Sequence, residues 1–221
     1  MGQLLKTIWV IEIMLLSGSM VRSQIPVELA FGNKKASIDL MFFKYFKTRD
    51  GKNSSFLFFH RNRALIDYRM TTNSNLPQFG FTEAISFNPK KWKGLAPVWV
   101  TILSNRGVYP KAGLQYAKVK KDFTLFSWTV VETRKDPGID VFFLGRYTPV
   151  LSKTLHGFFQ GELIQAFPTI KRNNFSFTQR VRIGLKIKPF QFGFAADLTQ
   201  TGRAVYTTTS NIGGFLRYEF Q

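Results

Sequence analysis

Residues 175–187 read Phe-Ser-Phe-Thr-Gln-Arg-Val-Arg-Ile-Gly-Leu-Lys-Ile. Phe175, Phe177, Val181, Ile183, Leu185 and Ile187 share one parity, and Ser176, Thr178, Arg180, Arg182, Gly184 and Lys186 share the other. Successive side chains of an extended chain point to opposite faces, so this is a strand with one greasy and one wet face. Lys188 and Pro189 then turn the chain. Phe190, Phe192, Phe194, Ala196 and Leu198 alternate with Gln191, Gly193, Ala195, Asp197 and Thr199, which completes a hairpin.

Working outward from that hairpin, the same period of two predicts strands near 26–32, 38–48, 55–70, 78–88, 97–104, 109–117, 122–132, 139–148, 154–167, 174–187, 190–200 and 211–220. Breakers such as Asp50-Gly51, Asn88-Pro89, Asp136-Pro137-Gly138 and Thr148-Pro149 separate them. Strands of about ten residues, rising about 3.3 Å each and tilted by about 40°, give an apolar band about 25 Å tall. The expected fold is all-β: a transmembrane antiparallel up-and-down β-barrel of about twelve strands, with ten as the other even count. It forms a single domain over 24–221. Residues 26–48 and 122–132 alternate poorly, and their registers stay open.

The chain has 221 residues, 44% hydrophobic and 20% charged, which excludes a disordered tail, a collagen and a coiled coil. With 31 Lys and Arg against 13 Asp and Glu, its formal charge is +18, and anionic surroundings follow. It lacks cysteine, so disulfides, thiolate metal sites and Cys nucleophiles are excluded. His60 and His156 are its only histidines, too few for a histidine-based metal centre. No phosphate loop, calcium loop or dinucleotide fingerprint appears, and no cofactor is expected.

Residues 1–23 read as a signal peptide: Lys6, then an apolar run from Ile8 to Leu16 broken by Glu12, then small residues with Val21 and Ser23 before a cut at Gln24. The run is shorter than the roughly 20 residues of a spanning helix. A basic, aromatic chain can bind nucleic acid, but export takes this one away from it, and no nucleic-acid partner is expected.

Alternation alone does not say whether greasy faces look inward to a core or outward to lipid. Lipid is favoured by aromatics at strand ends, among them Tyr45, Phe46, Tyr68, Phe87, Trp92, Tyr147, Phe167, Phe190, Tyr218 and Phe220, where headgroup girdles belong. It is also favoured by a wet face mixing glycines with charges. The last strand alternates Ile212, Gly214, Leu216, Tyr218 and Phe220 against Gly213, Phe215, Arg217 and Glu219. That ending resembles the C-terminal signal of bacterial outer-membrane barrels, with the aromatic Phe220 penultimate. Together with the Gln24 start and the Phe-rich, basic composition, it is similar to small barrels of the Bacteroidota type. The resemblance implies an outer-membrane location in a Gram-negative cell, assembly-signal roles for Ile212, Leu216, Tyr218 and Phe220, and the barrel-assembly machinery, membrane lipid and lipopolysaccharide as partners.

Counting back from a periplasmic C-terminus makes the connections near 49–54, 89–96, 118–121, 149–153 and 188–189 periplasmic. The outer loops are too short for a plug. By parity the lumen receives Arg61, Arg63, Arg69, Lys111, Arg146, Arg180, Arg182, Lys186 and Arg217, against Asp67, Asp140, Glu162, Asp197 and Glu219. A net-positive lumen concentrates anions, and guanidiniums bind carboxylates and phosphates in a fork, so a narrow, porin-like channel for small anionic solutes is expected. The same residues pairing across the lumen would close it, leaving a structural or accessory barrel. Glu83, His60 and Asn62 fall on the lipid face, where a basic charge costs about 2–4 kcal/mol and an acidic one less, so a bulge or register shift is expected there.

Catalysis is not expected. A barrel hydrolase needs a Ser activated by an oriented His. His156 and Glu162, the one pairing available, stand about 20 Å apart along a strand. A soluble lipocalin-like lipid binder remains an alternative fold.

Overall fold

The computed structural model describes residues 25–69, 77–105, 107–134, 137–169 and 174–220. The signal peptide read at 1–23 lies outside them. The strands are β1 (Ile25–Gly32), β2 (Lys35–Lys47), β3 (Asn53–Asp67), β4 (Gln78–Phe87), β5 (Leu95–Ser104), β6 (Gly107–Val119), β7 (Phe123–Glu132), β8 (Ile139–Tyr147), β9 (Leu155–Phe167), β10 (Phe175–Ile187), β11 (Phe190–Gly202) and β12 (Tyr206–Phe220). Each pairs antiparallel with its neighbours in sequence, and β1 pairs with β12, so the sheet closes into an up-and-down barrel without edges. The lower rim is the one at which β1 begins and β12 ends, with Ile25 opposite Phe220.

The outer wall follows from the greasy parity. Val181, Ile183, Leu185 and Ile187 on β10, Phe190, Phe192 and Phe194 on β11, and Ile212, Leu216, Tyr218 and Phe220 on β12 are all exposed. Aromatic rings gather at the lower rim, where Tyr218 lies 5.1 Å from Phe190 and 4.7 Å from Phe220, and Phe87 lies 5.7 Å from Trp92. Tyr45 departs from the predicted girdle. It faces inward, and its hydroxyl accepts a hydrogen bond from Asn88 at 3.2 Å.

The seam between β1 and β12 depends on two glycines. Gly32 stands opposite Gly213, and a Cβ on Gly213 would fall 1.9 Å from the carbonyl oxygen of Phe31. Side-chain atoms fit there only if β1 moves away from β12. Gly213→Ala is therefore expected to lower the barrel's stability by about 1–3 kcal/mol, the usual range for overpacking. Gly214→Ala, whose Cβ meets nothing closer than 3.4 Å, should be silent. The temperature at which the folded, fast-migrating band disappears on unboiled gels separates the two.

The structure corrects the bulge or register shift expected near Glu83. No bulge lies at Glu83: β3 and β4 pair without a break from Phe56–Phe87 to Leu65–Gln78, and His60 stands directly opposite Glu83. Their outward direction is real. The inward face is not uniformly polar either. Met41, Leu57, Phe59, Val98, Val100, Phe126, Trp128, Val130, Phe142 and Leu144 form one buried cluster inside the barrel, on β2, β3, β5, β7 and β8. Phe59 and Phe126 stack at 5.3 Å, with Trp128 edge-on to both. Large apolar side chains thus fill one half of the interior as they would a soluble core.

Candidate functional site: the charged interior

The other half of the interior is built by β1–β3 and β8–β12, whose inward parity carries the charges. Glu162 on β9 accepts hydrogen bonds from Arg61 across the lumen at 2.9 Å, from Arg180 on the next strand at 3.2 Å and from Gln160 at 2.8 Å. Arg61 also donates to Asp39 on β2. Gln160 accepts from Arg146 at 2.8 Å and from Arg217 at 3.1 Å. Arg217 donates to Glu28 on β1, and the other oxygen of Glu28 accepts from Arg182 at 2.9 Å. Arg182 reaches Asp197 at 2.7 Å, and Asp197 also accepts from Arg63 at 2.9 Å.

One connected network results, holding six guanidiniums and four carboxylates. Its links span the barrel from β3 to β9, from β3 to β11 and from β10 to β1. A planar guanidinium with five donors in a fixed fork can serve two carboxylates at once, which a lysine ammonium does less well. Arg217 also stacks over the Phe158 ring at 4.8 Å, which joins the network to a second apolar cluster of Ala30, Phe158, Ala195 and Phe215.

The network is not charge-balanced, and its donors are not all used. Arg63 Nε and Nη1, Arg146 Nη2 and Arg180 Nε are buried without an acceptor among the described residues. Beside Arg146 and Arg217 a cleft of about 10 Å³, lined also by Glu28, Asp39, Met41 and Gln160, is wide enough for one water. Above it the upper interior carries hydroxyls, including Thr178 and Thr199, which hydrogen-bond at 3.1 Å.

The remaining charges chosen by parity sit nearer the rims. Lys186 pairs with Glu219 at 2.7 Å near the lower rim, Lys111 pairs with Asp140, and Asp67 lies 4.0 Å from Lys35. Arg69 is a correction. β3 ends at Asp67, so Arg69 lies in the turn beyond it, its side chain 70% exposed and bonded to Asp67 at 3.3 Å. Counting parity past the end of the strand placed it wrongly.

Glu28 and Asp39 are the residues that sequence reasoning missed. On β1 the signal was present, because Val27, Leu29 and Phe31 alternate with Glu28. On β2 it was hidden, because Met41 and Phe43 share Asp39's inward parity while Ile38 and Leu40 face outward.

His156 does not approach Glu162's network. It stands opposite Lys186 and lines a cavity of about 570 Å³ at the lower rim, together with Lys121, Asp122, Thr148, Lys153 and Lys188. Ordinary solvation explains a rim of this kind. The structure holds no cluster of three or more His, Cys, Asp or Glu suited to a metal among the described residues.

No family model matches the chain, and no curated protein is similar to it. Among solved structures, a KdgM porin aligns at TM-score 0.49 and 13% identity, covering 90% of this chain and 99% of that one. A KdgM porin in complex with disordered oligogalacturonate aligns at 0.49 and 11%, with coverage of 90% and 99%. A triple mutant of the Rhodopseudomonas blastica porin aligns at 0.27 and 6%, covering 90% and 98%. At these scores the twelve-strand architecture rests on the chain's own registers.

Proposed function

We propose that the chain is an outer-membrane barrel that exchanges small anionic, hydrophilic solutes along the arginine-lined half of its interior. The membrane location is supported by closure of the sheet, which leaves no unpaired backbone edge, and by the belt of exposed apolar side chains flanked by aromatic rings. The observation that carries the anionic preference is the surplus in the charged layer: six guanidiniums against four carboxylates, with donors on Arg63, Arg146 and Arg180 free of acceptors among the described residues. Buried donors of this kind gain from a solute oxygen, and the positive excess repels cations. The lower rim is then periplasmic, and the last strand, with Ile212, Leu216, Tyr218 and Phe220 on its lipid face, is the part the assembly machinery reads.

A second reading has its own support. The ion pairs that span the lumen and the packed aromatic half together fill the cross-section, as in a barrel that only scaffolds. Two measurements test the pair. Extraction comes first: the protein should require detergent and migrate faster unboiled, whereas recovery in a soluble fraction refutes the membrane reading. Planar-bilayer recording comes second, and small conductance with a reversal potential on the anion side is expected. Zero conductance from correctly folded protein moves the assignment to the non-conducting barrel.

A further inference from the structure

The outward wall of β3, β4 and β5 carries a polar patch at mid-strand that lipid contact does not explain. His60 stands opposite Glu83, with Nδ1 3.6 Å from a carboxylate oxygen, and Glu83 stands opposite Thr101 on β5. Asn62 is the next outward residue on β3. Phe42 and Phe58 pack against His60, the former stacked at 5.1 Å, and leave its side chain 9% exposed, whereas the Glu83 side chain is 39% exposed and is the charge left uncovered. Exposed Phe56, Phe79, Ile85 and Trp99 frame the patch. Ionisable groups within a membrane-facing wall are costly there unless something covers them.

We infer that a second copy of this chain covers this wall, making the protein a side-by-side dimer. The inference rests on the membrane reading above. Two copies inserted in the same direction can be related by a two-fold axis only along the membrane normal, and such an axis keeps every residue at its own depth. His60 and Glu83 are cross-strand partners, so their depths differ only by the tilt of one strand spacing, about 3 Å. With the axis between β3 and β4, each β3 faces the other copy's β4. The half-buried Asn62 amide then meets the partner subunit's Glu83, while the buried His60 ring orients the Glu83 of its own chain, and the reverse contact forms by symmetry. Acid and donors on adjacent strands make the patch self-complementary, as an isologous interface requires.

The absence of cysteine makes the test clean. Ala64→Cys lies outward on β3 beside the patch, and Leu163→Cys lies outward on β9, across the barrel. In intact membranes a short bismaleimide should link two copies of the Ala64→Cys chain and leave the Leu163→Cys chain monomeric. The unmodified protein in mild detergent should show the dimer mass by native mass spectrometry. That dimer should be lost in His60→Leu with Glu83→Leu and kept in Glu83→Gln, which still hydrogen-bonds; unboiled gels confirm that each variant is folded. A detergent-requiring monomer, equal cross-linking at both cysteines, or cross-links from position 64 only to another protein overturns the dimer alone. Recovery of the chain without detergent overturns the membrane premise and the dimer with it.

Discussion

Glu28→Gln should lower the stability of the barrel by about 3–5 kcal/mol, the usual cost of removing one partner from a buried ion pair. Both oxygens of Glu28 are used, one by Arg182 and the other by Arg217, and all three side chains are nearly inaccessible. Neutralising the carboxylate leaves two guanidiniums facing an amide that offers a single acceptor. Glu28 is also the only carboxylate that β1 brings to the network, so the same substitution loosens the seam at which the barrel closes. Urea titration of the refolded protein in detergent measures the loss. Glu28→Gln with Arg217→Gln should recover part of it, since the second change removes one uncompensated charge; that non-additivity identifies a coupled pair. A loss below about 1 kcal/mol would mean that the pair is screened as surface pairs are, and that the interior is wet.

The strands on which sequence reading succeeded and failed have a common physical basis. On β10, β11 and β12 most inward residues are charged, hydroxyl, amide or glycine, with Ala195 and Phe215 the apolar exceptions, so hydropathy alternates along most of each strand and the pattern is plain. On β7 it disappears. Phe126, Trp128 and Val130 point into the apolar half of the interior while Leu125 and Val131 point out, and a strand greasy on both faces has no period to read. The same loss of contrast hid Asp39 on β2. His60 and Glu83 failed in the opposite sense: parity placed them outward correctly, and the assumption that lipid faces every outward residue suggested a bulge that the register does not contain. Sequence periodicity reports a difference between two faces. It cannot say which solvent, core or partner lies against either one.

Arg63→Gln with Arg180→Gln should shift the reversal potential in a salt gradient toward zero while leaving the fold intact. These two arginines, unlike Arg182 and Arg217, do not hold Glu28, and each carries a guanidinium nitrogen without a hydrogen-bond acceptor among the described residues. Removing both charges takes the charged layer from a surplus of two guanidiniums to balance, four against four. A unit charge 4 Å from an ion is worth about 4 kcal/mol at an effective dielectric constant of 20. If the neighbouring carboxylates and the salt leave about a quarter of that, each arginine changes anion partitioning roughly fivefold. Glutamine is the sharper probe. Glutamate at the same places would add two carboxylates beside Asp197 and Glu162, and any change in selectivity would be confounded by their repulsion within the barrel. A conducting variant with an unchanged reversal potential would show that ions avoid the arginine wall and pass elsewhere. Matched silence from variant and parent would instead mean that the pairs across the lumen do not part to admit solute, and that the interior stays closed.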